Sequence, residues 1–143
     1  MTTFLLEIIS PDRKVFSEEV NAVSVPTSQG MIEVLAHHTP LFCSLSPGEI
    51  KVISGNKEYF LAVGGGFMEV TARGAAVLVS RAFHADELNE SEIKRAEAAA
   101  REAIAKGVKG DELAAAQAVL RRSLVELKVL RRKKYRSPTF LPS

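Results

Sequence analysis

The chain has 143 residues, 46% hydrophobic and 25% charged, with a formal net charge of +2; this suits one ordinary globular domain, or a small one with an appendage. No apolar run approaches the roughly 18 residues that cross a bilayer, and MTTFLLEIISPDRK lacks a basic n-region and is broken by Glu7, so it does not read as a signal peptide. The single cysteine, Cys43, has no partner for an internal disulfide, which fits a reducing, cytoplasmic setting.

Residues 1–85 are punctuated by turn chemistry at Pro11-Asp12, Ser28-Gln29-Gly30, Ser46-Pro47-Gly48, Ser54-Gly55-Asn56, Gly64-Gly65-Gly66 and Arg73-Gly74. Between these lie FLLEII, VNAVSVP, MIEVL, EIKVI, EYFLAV, FMEV and AAVLVS. VNAVSVP and EIKVI partly alternate apolar with polar residues, as a sheet with one wet face does. AAVLV is continuously apolar, which predicts a central strand. No helical period intervenes, so this half is expected to form a β-sandwich of about eight to ten strands.

From Asp86 the period changes. Asn89 offers a helix cap with Glu92 at the third helical position, a capping-box variant. The spacing predicts a first helix to about Lys106, stopped by Gly107, and a second from Asp111, as its cap, to about Arg136, ahead of Pro138. The short glycine-containing link predicts an antiparallel helix hairpin. The domains are therefore expected at 1–85 and 86–143. Leu113, Leu120 and Leu127 recur at seven against Ala96, Ala99, Ala100 and Ala103. Alanine buries little area, so the helices have high propensity but a weak mutual grip, and the hairpin can open without melting.

Charge divides along the same line: six basic against eight acidic residues in 1–85, thirteen against nine in 86–143. Beyond residue 120, eight basic residues face only Glu126, so this end calls for an acidic neighbour. Nucleic acid is disfavoured by the slightly negative sandwich and by the lack of interleaved aromatics other than Tyr135. A membrane-surface helix would need larger apolar residues opposite the charge.

The catalytic and metal constellations are absent. His37, His38 and His84 match no zinc-site spacing. Cys43 sits in the apolar run LFCSL and reads as a buried, inert thiol. VGGGFMEV lacks the phosphate-loop spacings and leads into a strand, so its glycines read as a bulge or a close backbone approach.

Three runs, GMIEVLAHHTPLFCSLSPGEIKV, YFLAVGGGFMEV and VLVSRAFHADELNESEIKRAEAAA, resemble the epsilon subunit of the F-type ATP synthase, bacterial type. The specific motifs are His38-Thr39-Pro40-Leu41 with Pro47-Gly48, and Gly65-Gly66-Phe67 with Glu69-Val70. The resemblance implies a non-catalytic rotor subunit, peripheral on the cytoplasmic face of the cell membrane. Its sandwich would bind the gamma subunit and the membrane rotor ring of c subunits through Gly30, Met31, His38, Pro40 and Leu41. Its second helix would extend to present Arg121, Arg122, Lys128, Arg131, Arg132, Lys133 and Lys134 to the catalytic beta and alpha subunits and restrain hydrolysis.

Departures from the family pattern occur at Glu33, where glycine is usual, and at Ala36-His37, where Pro-Gly often stands. Some relatives bind ATP on the hairpin through (Ile/Leu)-Asp-x-x-Arg-Ala. The matching positions give Glu92 and Arg95 as candidate nucleotide residues, with Arg122 on the second helix. Glu92 is one carbon longer than aspartate, Ser91 is not apolar, and Glu126 replaces an arginine. ATP binding is therefore expected to be weak or absent, with no other cofactor or metal. The competing reading is a free-standing sandwich module whose basic helix grips a polyanion.

Overall fold

A computed structural model of the chain describes residues 2–136, with side chains to Arg132. The described residues form ten strands and two α-helices. They divide into two compact units that meet in sequence between His84 and Ala85.

The first unit is a sandwich of two five-stranded sheets. β1 (Phe4–Ile9), β2 (Lys14–Val20), β5 (Leu41–Leu45), β8 (Gly66–Thr71) and β9 (Gly74–Val79) form one sheet, in the order β2-β1-β9-β8-β5. β3 (Ala22–Thr27), β4 (Gly30–Leu35), β6 (Gly48–Ser54), β7 (Lys57–Val63) and β10 (Ala82–His84) form the other, in the order β10-β7-β6-β3-β4. Neighbours are antiparallel except β1 and β9, which pair in parallel. Alternation decides which residues face inward: Ile50 and Val52 of β6, Met68 and Val70 of β8, and Val77 and Val79 of β9 meet Leu6, Ile8, Val23, Val25, Val34 and Leu61 in one core. Full burial of a side chain this size contributes about 1.5–3 kcal/mol, so this unit carries its own hydrophobic driving force. Phe16 of β2 meets Tyr59 of β7 edge-on, centroids 5.4 Å apart, tying the sheets together.

Three strands have no counterpart among the expected runs: β2, β5 and β10. β2 (KVFSEEV) buries only Phe16 and Val20, so its apolar signal is thin. VNAVSVP is split rather than continuous. The chain leaves one sheet at Val20 and enters the other at Ala22, and Asn21 serves the corner. Its N–H donates to Ile53 O (2.8 Å), and its Oδ1 accepts from the N–H of Gly55 (2.7 Å).

In the second unit, α1 spans Glu90–Ala105 and α2 spans Asp111–Arg136. Asn89 caps α1 as its sequence predicts, its Oδ1 accepting from the N–H of Glu92 at 3.1 Å. α1 ends in a Schellman arrangement around Gly107, at φ 86°. There the N–H of Gly107 donates to Ile104 O and that of Val108 to Ala103 O. The cap of α2 is Gly110 rather than Asp111: the Gly110 carbonyl accepts from Ala114 at 3.0 Å. Asp111 and Glu112 instead occupy the first turn, where negative charge complements the helix dipole. At 1.5 Å per residue α2 is about 39 Å long. Pro138 lies outside the described residues.

The helix seam differs from the leucine heptad expected for it. Leu113, Leu120 and Leu127 are half-buried, whereas Ala116, Ser123, Glu126, Val129 and Leu130 are buried more deeply. On α1 the buried residues are Ile93 and Ala100, and Ala99 is exposed. The deeper row of Ala116, Ser123 and Leu130 lies three residues on from Leu113, Leu120 and Leu127.

Candidate docking surfaces

β5 places Leu41, Cys43 and Leu45 toward the core, which leaves Phe42 and Ser44 on the outer face. β8 alternates in the same way, with Met68 and Val70 inside and Phe67 and Glu69 outside. Cross-strand register then puts Phe67 opposite Leu78 of β9 and Ser44 opposite Phe67. The outcome is a cluster of large apolar side chains in solvent: Phe42 is 67% exposed, Phe67 and Leu78 50% each. The two rings stack at 5.6 Å, 27° between planes. Glu69 of β8 and Glu7 of β1 lie on the same face, and Glu7 is paired with Lys14 at 2.7 Å. Contiguous exposed apolar surface with a polar margin is a common feature of interaction sites. The continuously apolar run AAVLV does form the central strand, yet Leu78 is apolar for this outer patch and not for burial.

Phe42, Phe67 and Leu78 were not expected as docking residues, although Phe67 lies in the Gly65-Gly66-Phe67 motif. The signal was parity: Phe67 shares its side of the strand with Glu69, and Phe42 shares its side with Ser44.

The residues expected to bind partners do not form one cluster. Gly30 and Met31 begin β4 and the turn before it, with Gly30 at φ 117° and its carbonyl accepting from Thr27 Oγ1 at 2.6 Å. His38 and Pro40 follow the other end of β4. The five rises of about 3.3 Å along β4 from Gly30 to Leu35 put about 17 Å between the two ends of the strand. Leu41 is half-buried and packs against the core. His38 lines a cleft of about 520 Å³ with His37, Thr39, Pro40, Leu35 and Arg73, among others. Its Nδ1–H donates to Thr39 O (2.6 Å) and its backbone N–H to Leu35 O (3.2 Å). His37 holds φ 64°, unusual for a non-glycine residue.

His84 stands apart, its Nε2–H donating to Val15 O at 3.1 Å beside the Phe16 ring. Among the described residues no three His, Cys, Asp or Glu side chains are grouped to hold a metal ion. Burial pushes the Cys43 thiol above its ordinary value. The triple glycine serves backbone packing: a Cβ on Gly66 would strike the Leu78 carbonyl across the β8–β9 pair.

On the hairpin, Arg121, Arg122, Lys128, Arg131 and Arg132 are exposed, while Lys133 and Lys134 have side chains outside the described set. Glu92 and Arg95 are exposed, and Arg95 reaches Ser91 Oγ at 3.5 Å. Along α1, Lys94–Glu90, Arg101–Glu97 and Lys106–Glu102 pair at i,i+4. No described helix is long and apolar enough to cross a membrane.

The described residues thus combine a sandwich that exposes an aromatic patch with a long helix whose basic side chains are exposed. Residues 3–85 match the family model described as the beta-sandwich domain of the ATP synthase delta/epsilon chain, and the chain belongs to this family. It is 39% identical over 138 residues to an ATP synthase epsilon chain of Dehalococcoides mccartyi, covering 94% of this chain and 96% of that one. It is 36% identical over 131 residues to the ATP synthase epsilon chain of Herpetosiphon aurantiacus, covering 92% and 96%. Its fold is similar to that of a chain in the cryo-EM structure of the Euglena gracilis mitochondrial ATP synthase (OSCP/F1/c-ring). That match has a TM-score of 0.67 at 22% identity and covers 94% of this chain and 81% of that chain.

Proposed function

We propose that the chain is a non-catalytic rotor subunit in the central stalk of an F-type ATP synthase, peripheral on the cytoplasmic face of the cell membrane. The observation that carries this reading is the reach of the similarity: 94% of the chain aligns with an ATP synthase epsilon chain, so both units take part. The sandwich joins the gamma subunit to the ring of c subunits. The outer patch of Phe42, Phe67 and Leu78 supports a broad apolar partner there, and the cleft end bearing His38 and Pro40 offers a second contact. A typical interface of about 800 Å² per partner is wide enough to include Met31 as well.

The hairpin restrains ATP hydrolysis. α2 leaves α1 and carries its basic side chains to acidic surface on the catalytic beta and alpha subunits. Each exposed ion pair contributes only about 0–1 kcal/mol, so restraint needs several together. The hairpin acts without a bound nucleotide. The test is to assemble the complex with residues after Lys109 deleted, and separately with Arg121, Arg122, Lys128, Arg131 and Arg132 changed to alanine. Both should co-purify with gamma and ring and show raised ATPase activity. Unchanged hydrolysis in both removes the regulatory role, and failure of the intact chain to co-purify with gamma removes the rotor role.

A further inference from the structure

Ser123 lies in the middle of α2, 1% exposed. Its Oγ is the one buried side-chain polar atom among the described residues that has no hydrogen-bond partner. A serine within a helix ordinarily donates to the carbonyl four residues back or points to water; this one does neither. It shares the deep row of α2 with Ala116 and Leu130, at spacings of seven. α1 offers that seam Ile93 and Ala100, neither of which has a side-chain group to receive a hydroxyl.

A buried hydroxyl that loses water without gaining a partner bears its full desolvation cost. Separating α2 from α1 returns the hydroxyl to water while the helix stays intact. The closed hairpin thus carries a penalty that the open one lacks, at the point where a leucine or alanine would have added grip. We propose that Ser123 is a release element that weakens the closed hairpin by about tenfold in its opening equilibrium and keeps α2 ready to detach. Its regulatory meaning rests on the reading that detachment restrains hydrolysis; the energetic effect stands without it.

Amide hydrogen exchange on the isolated full chain reports the opening through the weak protection of a released helix: once off α1, α2 is held only by its own marginal helical stability, so its amides exchange from the open state. Ser123→Ala removes the hydroxyl but also raises helix propensity. Ser123→Cys is the discriminating variant, because cysteine has nearly the propensity of serine yet tolerates burial as a small apolar side chain. Under reducing conditions, exchange of α2 amides in Ser123→Cys should slow by about tenfold, and in Ser123→Ala by at least as much. A cysteine variant that exchanges as the parent does, or faster, overturns the proposal whatever alanine does. In the assembled complex, Ser123→Cys should raise ATPase activity. Slowed exchange with unchanged ATPase activity would uphold the release element and overturn the regulatory reading of the hairpin.

Discussion

The rings of Phe42 and Phe67 stack 5.6 Å apart on the solvent side of their sheet, on neighbouring strands. Both side chains point away from the core that Leu45 and Met68 complete. Aromatic pairs of this kind contribute about 0.5–1.5 kcal/mol beyond burial, too little to justify two large rings in water for the fold alone. Changing both to serine should lower the unfolding free energy by no more than about 1.5 kcal/mol. Affinity for gamma should fall by at least about a hundredfold if each is an interface anchor worth about 2 kcal/mol. Titration calorimetry with purified gamma, alongside urea unfolding, separates the two effects; intact affinity would place the docking surface elsewhere.

A chain ending at Ala85 should fold. Its core residues all lie within 1–84, and the compact unit ends at His84. Dispersed amide resonances and a cooperative thermal transition are the expected result, with retention of gamma in a pull-down. Collapse to an unfolded chain would show that the sandwich depends on the helices.

Gly66 and Gly55 should respond very differently to alanine. At Gly66 the new Cβ meets backbone, the Leu78 carbonyl, which cannot swing aside; a loss of about 3 kcal/mol is expected, at the upper end for overpacking. At Gly55, φ 62° with open space around it, only the left-handed conformation is penalised, by about 1–2 kcal/mol. Equal costs in denaturant titrations would contradict the close approach of β8 and β9.

ATP should not saturate the isolated chain at micromolar concentration. The match to the nucleotide motif is partial at Ser91 and Glu92, Arg95 is drawn toward Ser91, and Glu126 lies buried in place of a second arginine. Calorimetry that shows micromolar binding, abolished by Arg95→Ala or Arg122→Ala, would reverse this expectation.

Cys43 should alkylate more slowly than an unfolded thiol at neutral pH. Desolvation raises its pKa, so less of the reactive thiolate is present. The sign for stability follows. Below the unfolded thiol's value, about 8.5, both states hold the proton and the thiol contributes no pH dependence. Above it the unfolded chain ionises first, so stability falls with rising pH until the folded thiol also ionises. Maleimide labelling with and without urea checks the first statement, and urea unfolding at pH 8 and 9.5 checks the second.

Local chemistry was legible because its causes are local. Asn89 three residues before Glu92 dictated the first helix cap, and Gly107 its end, since an αL position after a helix favours glycine. Strands such as EIKVI declared themselves by partial alternation, and FLLEII as a short apolar run bounded by a turn. KVFSEEV did not, because an edge strand needs only two inward residues, Phe16 and Val20, and those sit four apart. Asp111 was the wrong second cap: aspartate is the better capping residue by type, but the helix begins one residue earlier and Gly110 takes the position.

Composition, period and turn chemistry by themselves determined the fold class, the boundary near residue 85 and a basic second helix, because each depends on neighbours a few residues away. Which face of each strand stays wet, whether Gly30 and His38 share one site, and which row of α2 is buried depend on residues far apart in sequence. Strand order β2-β1-β9-β8-β5 brings Phe42, Phe67 and Leu78 together from positions up to 36 residues apart. The length of β4 holds Gly30 and His38 apart although only seven residues lie between them. The row with Ser123 is buried more deeply than the row of leucines, and only the tertiary structure decides such a choice, because which side of an amphipathic helix is covered depends on what packs against it.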